Sequence, residues 1–241
     1  MRVEKILSAL CSAWEELIDF PLPEFFRRRC ESGKRNELTA AAFPLLGFII
    51  GIVIALAVLL LDVVTGRMVA ALVFALAGWG MLSFRDSGRG DNRLGKYLSC
   101  RMKTYDGGGE GGTNLLMLLP GMIKLVVLLL LGLSGSFFYI AVLLAAAFAF
   151  QAALVLDDEC PMEFLDRCDK AVRIFRGTLV VLGILCFACC RLGTVVALVV
   201  VLAGFNMAMK RLKGNGFSAE NISFSGTLVE MFLLLAGLLA I

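Results

Sequence analysis

Histidine is absent from all 241 residues. That removes histidine general bases, histidine-ligated zinc and any Ser-His or Cys-His nucleophilic arrangement. Chemistry here must run on carboxylates, lysine, arginine, hydroxyls, thiols and bound metal. Charge is also sparse, at 18% of residues with a net +3, too small an excess to argue for a nucleic-acid partner. Proline occurs only five times. A zinc-like cysteine framework is missing as well, since no closely spaced pair among the eight cysteines has a second pair to match it. Cys186, Cys189 and Cys190 fall at helical spacing in an apolar run, where thiols pack as small hydrophobes. Cys11, Cys30, Cys100, Cys160 and Cys168 lie in segments read as cytoplasmic, where thiols are expected to stay reduced.

What the chain has in abundance is apolar sequence. With 59% hydrophobic residues and a mean hydropathy of +0.87, it exceeds the composition of soluble domains. Seven runs approach the ~20 residues needed to cross a bilayer, at 40–61, 68–84, 115–133, 137–156, 174–190, 192–209 and 226–241. The expected fold is therefore all-α: one integral membrane domain over 1–241, a polytopic bundle of about seven transmembrane helices. Within the first span, Gly47 and Gly51 form a small-xxx-small face that lets another helix approach closely. Before it, residues 1–20 place Val3, Ile6, Leu7, Leu10, Trp14, Leu17 and Ile18 on one helical face, which predicts an amphipathic helix lying in the interface and stopped by Pro21 and Pro23.

Long polar connections (85–114, 157–173, 210–225) alternate with short ones near 62–67, 134–136 and 191. Twenty of the 23 cations belong to the N-terminal segment and the long connections, Arg176 included, whereas Arg67 and Arg191 lie on the opposite side and Lys124 within a span. By the positive-inside rule the N-terminus and every long connection face the cytoplasm, and the C-terminus ends across the membrane. The expected location is the bacterial cytoplasmic membrane.

The connection from Arg85 to Asn114, RDSGRGDNRLGKYLSCRMKTYDGGGEGGTN, concentrates the polar chemistry. Carboxylates along a glycine-rich segment can hold a divalent cation, and neighbouring arginines can hold phosphate. The plain alternative is a solvated loop whose cations only orient the protein. Asp91 and Asp106 are the leading carboxylates, with Asp86 behind them; the last connection adds Glu220. Two charges fall within spans: Lys124 in the third, and Glu230 about one turn into the last. Each is costly in hydrocarbon without a partner, and a Lys124–Glu230 pair is one way to satisfy both.

These features together resemble the cobalamin synthase family, the adenosylcobinamide-GDP ribazoletransferases, over nearly the whole chain. FPLP (Phe20–Pro23) and FPLLGFIIG (Phe43–Gly51) are similar to the family's Pro-x-Pro and Phe-Pro-x-x-Gly-x-x-x-Gly features. RDSGRGDNRLG (Arg85–Gly95) stands where the family has His-x-Asp-Gly-x-x-Asp-x-x-Asp-Gly: Gly88, Asp91 and Gly95 fit, while Arg85, Ser87 and Leu94 replace the histidine and two aspartates. Asp106 and Lys124 match an aspartate and a helix lysine, and SAENISFSGTLVEM resembles the family's last motif, with Glu220 at an aspartate position, Thr227 replacing one glutamate and Glu230 matching the second. The family's Ala-Arg-x-x-Gly-Leu-Gly segment has no clear counterpart in residues 155–175.

The resemblance implies attack by α-ribazole or its 5′-phosphate on GDP-activated cobinamide, with release of GMP. It implies Mg²⁺ on the diphosphate, held by Asp91, Asp106, Glu220 and Asp86. Catalytic roles fall to Asp91, Asp106, Lys124 and Glu230, and substrate binding to Arg85, Gly88, Arg89 and Gly95. The implied partners are those small molecules and the lipid bilayer, with self-association or contact with other cobamide-assembly enzymes left open; nucleic acid is not among them. Two other readings stand beside this one: a catalytically silent relative acting as scaffold or binding partner, and a small transporter.

Overall fold

The computed structural model describes residues 3–17, 39–84, 112–156, 172–181, 204–214 and 219–239, and every regular element among them is helical. The helices are α1 (Val3–Leu17), α2 (Thr39–Thr65), α3 (Arg67–Phe84), α4 (Gly112–Leu133), α5 (Tyr139–Val155), α6 (172–181), α7 (204–214) and α8 (Ala219–Leu239). Helix α2 packs on α1, α3 and α5; α3 packs on α4, and α8 on both α4 and α5. By length and composition α2 is the one helix among the described residues able to cross a membrane alone.

The α2–α5 interface follows from its small residues. A Cβ at Gly47 would lie 2.5 Å from the Leu144 carbonyl oxygen, and one at Gly51 would overlap the Ala141 backbone. The expected small-residue face is thus the surface on which α5 is seated, and Ala55 and Val58, fully buried, continue it. Pro44, inside α2, gives up one hydrogen bond to the preceding turn and is itself buried.

Two short turns close the helical hairpins. Gly66, at φ 86°, stops α2 in the left-handed conformation that glycine tolerates, and α3 begins at the next residue. At the end of α4, Ser136 N–H donates to Leu131 O and Gly135 N–H to Gly132 O, both at 3.0 Å, which is the Schellman pattern with Gly135 at φ 84°. Arg67 ties the two turns together. Its guanidinium lies 3.1 Å from Asp62 Oδ2 and 5.3 Å from the Phe137 ring centre, and a Cβ at Gly135 would collide with it.

The C-terminal part of α8 lies at that same end, because Tyr139 Oη donates to Leu233 O at 2.5 Å and its ring fills the space beside Gly237. The helix ends at Thr39, Phe84, Gly112, Val155 and Ala219 therefore lie at the opposite end.

Two expectations need correction. Residues 210–225 are not one long loop: α7 runs to 214 and α8 starts at Ala219. Hydropathy marks where a helix is apolar, and the polar residues at the start of α8 continue the helix beyond that limit. Cys11, buried on α1, is disulfide-bonded to a residue outside the described ones, where a reduced thiol was expected. A compartment argument fixes which thiols are kept reduced, and says nothing about which sulfurs the fold brings within bonding reach. Helix α1 itself forms as expected. Its Ala9 and Ala13 are fully buried, whereas the larger Leu10 and Trp14 are only partly so.

Candidate functional site: a buried ion pair between α4 and α8

Lys124 lies twelve residues into α4 and nine from its end, so its α-carbon is about 14 Å from the nearer terminus. Glu230 is eleven residues into α8, about 16 Å from its start, and not one turn in as the hydropathy limit suggested. Lys124 Nζ donates to Glu230 Oε2 at 2.5 Å. The two side chains are 3% and 1% exposed. A charge-assisted hydrogen bond of this length is among the stronger polar contacts a protein makes. The pairing also solves a problem that neither helix can solve alone, since each carries one mid-helix charge among apolar neighbours.

The register of α8 extends this polar face. Glu220, Ser223, Thr227 and Glu230 recur at helical spacing, so their positions share one side of the helix. Thr227 is 2% exposed, one turn before Glu230. Ser225 projects from a different side; its Oγ is fully buried and has no hydrogen-bond partner among the described residues. On α7, the Arg211 guanidinium stacks 4.1 Å from the Phe224 ring centre, and Gly204 admits the Phe232 ring, so α7 runs antiparallel to α8.

Of the residues singled out from the sequence, Lys124 and Glu230 are brought together. Asp86, Asp91, Asp106, Arg85, Gly88, Arg89 and Gly95 lie outside the described residues. Glu220 sits in the first turn of α8, ten residues before Glu230 and so about 15 Å from it along the axis. That separation keeps a cation held at Glu220 from also using Glu230. With its carboxylate already on an ammonium group, Glu230 is a poor magnesium ligand. Among the described residues no group of three or more metal-ligating side chains occurs.

Ser225 and Tyr139 were not singled out by sequence reasoning, and Thr227 was noted only as replacing a glutamate of the family motif, not as a buried neighbour of Glu230. Nothing in the sequence distinguishes Tyr139 from other aromatic residues at a helix start. Comparison with known proteins finds no family model that matches the chain, no matching curated relative and no matching solved structure.

Proposed function

We propose that the chain is a multi-pass membrane protein and a divergent magnesium-dependent phosphotransferase resembling the adenosylcobinamide-GDP ribazoletransferases. The membrane reading is supported by where the apolar and charged groups lie. Large apolar side chains such as Val53, Leu60, Val63, Met68, Leu72 and Val126 are exposed, while a lysine and a glutamate are buried. In water that arrangement is unfavourable; in lipid it is the expected one. Most of the cations belong to the N-terminal segment and the long connections, which supports a cytoplasmic position for those segments.

The observation that carries the enzymatic reading is the Lys124–Glu230 contact. The two positions were selected by resemblance to separate motifs 106 residues apart, and they meet in the bundle. Buried against each other, the two act as positioning residues that hold α4 against α8. Asp91, Asp106, Asp86 and Glu220 would hold Mg²⁺, which would neutralise charge on a diphosphate; Arg85 and Arg89 would take its remaining oxygens. In this reading Gly88 and Gly95 allow the backbone to approach the phosphates closely.

A second reading, a catalytically silent relative, is favoured by Leu94, which stands at an aspartate position of the family motif and leaves its charge unreplaced. Purified protein in detergent, supplied with GDP-cobinamide, α-ribazole and Mg²⁺, separates the two. GMP release that is lost in Asp91→Asn supports the transferase. No release with Mg²⁺ or Mn²⁺ supports the silent relative.

A further inference from the structure

We infer that the Lys124–Glu230 pair is a register pin: it fixes how far α4 and α8 slide past each other, and so sets Glu220 level with the point where the 85–111 connection enters α4. The register itself follows from the helices; its consequence for Glu220 rests on the magnesium reading above. Tyr139, which follows the turn at the end of α4, donates to Leu233 O, and its ring fills the space beside Gly237. The C-terminal part of α8 therefore lies at the C-terminal end of α4, and the two helices run parallel. Lys124 and Glu230 are each nine residues from the end of their helix, and twelve and eleven from its start. In parallel helices joined at these positions, Leu133 comes level with Leu239 and Gly112 with Ala219, to within less than one turn. Glu220, the second residue of α8, thus stands at the depth of Gly112, the first residue after the connection that carries Asp91 and Asp106.

Apolar contacts alone fix such an alignment poorly. The buried side chains flanking the pair along its helices, Val127, Leu128 and Leu131 on α4 and Val229 and Leu233 on α8, are apolar, and apolar surfaces in lipid gain little from one register over another. Two close approaches of these helices engage other neighbours: Gly132 seats Ala71 of α3, and Gly237 seats Tyr139 of α5. A slide of one turn, ~5.4 Å, takes the ammonium group away from this carboxylate inside an apolar bundle, which is strongly unfavourable. A polar contact set among apolar neighbours selects one alignment of two helices in this way, because the other alignments forfeit it. Lys124 and Glu230 are then positioning residues, about 15 Å along the axis from the acid whose depth they set.

The test uses the full-length protein in lipid nanodiscs, with p-acetylphenylalanine in place of Leu119 and Leu239, both exposed, each carrying a ketoxime nitroxide. This chemistry leaves the eight cysteines untouched. In the pinned register the two positions lie about 21 Å apart along the axis, so a slide changes their separation, which pulsed dipolar EPR reads. The parent is expected to give one distance. Lys124→Leu/Glu230→Leu is expected to give a second, displaced as a slide of one turn requires. The swap Lys124→Glu/Glu230→Lys keeps opposite charges in contact and is expected to restore the single distance. A single parent-like distance in the double leucine variant overturns the pin, and so does a swap that behaves as that variant does. Were the swap not to fold, the double leucine variant alone would decide. Calorimetric titration of the unlabelled protein with Mg²⁺ reads the consequence for Glu220: the double leucine variant is expected to bind about tenfold more weakly than the parent, and the swap as the parent does. Equal affinity in the parent and the double leucine variant overturns that consequence. A parent that binds no Mg²⁺ overturns the magnesium reading and the consequence with it, while the distances still decide the register.

Discussion

The α2–α5 and α4–α8 interfaces hold helices together by opposite means. The first has no charged side chain in contact and depends on the absence of side chains at Gly47 and Gly51, which lets α5 backbone atoms lie directly against α2. The second depends on two charged side chains that need each other. In lipid, where apolar surfaces gain little by associating with one another, close packing and buried polar contacts are the available sources of helix affinity. The difference lies in tolerance. A steric seat fails when anything is added, whereas a charge pair fails when one half is removed and recovers when both are.

Substitutions can break each interface in turn. Gly51→Leu is expected to have the largest effect, because the new side chain starts where Ala141 backbone already lies. The overlap with backbone takes the cost beyond the ~3 kcal/mol typical of overpacking, and size-exclusion chromatography in detergent should recover little monodisperse protein. Glu230→Leu comes next, at about 3–5 kcal/mol, read as a fall in thermal denaturation midpoint. Lys124→Leu/Glu230→Leu should regain most of that loss, and a double variant no more stable than the single ones would remove the claim that the interface is a charge pair. Tyr139→Phe removes the hydrogen bond to Leu233 O and should cost about 1 kcal/mol. Smallest is Arg67→Ala at the turns: the guanidinium is 49% exposed, so its ion pair with Asp62 is worth under about 1 kcal/mol. The part due to the ion pair should disappear in high salt, while the part due to stacking on Phe137 should persist.

Much of this arrangement was legible in the sequence, and the reasons are specific. Hydropathy located α2, α3, α4 and α5 to within a few residues, because an apolar run bounded by glycine and polar residues has few alternatives. The glycine spacing in α2 disclosed its packing face before the partner was known. The Lys124–Glu230 contact could be named as an option because two apolar spans each carry one charge that needs a partner. The start of α8 was misread because Asn221, Ser225 and Thr227 lower the hydropathy without ending the helix. Tyr139 and the Arg67 clamp were not legible, since both arise from turns brought together by packing. The carboxylates of the 85–114 connection are outside the described residues, so the enzymatic proposal still depends on the resemblance.

Gly66 joins two helices by a single residue. A hinge this short, like the five residues between α4 and α5, leaves almost no free polypeptide between the helices it joins, so a protease would find little to grip in either link.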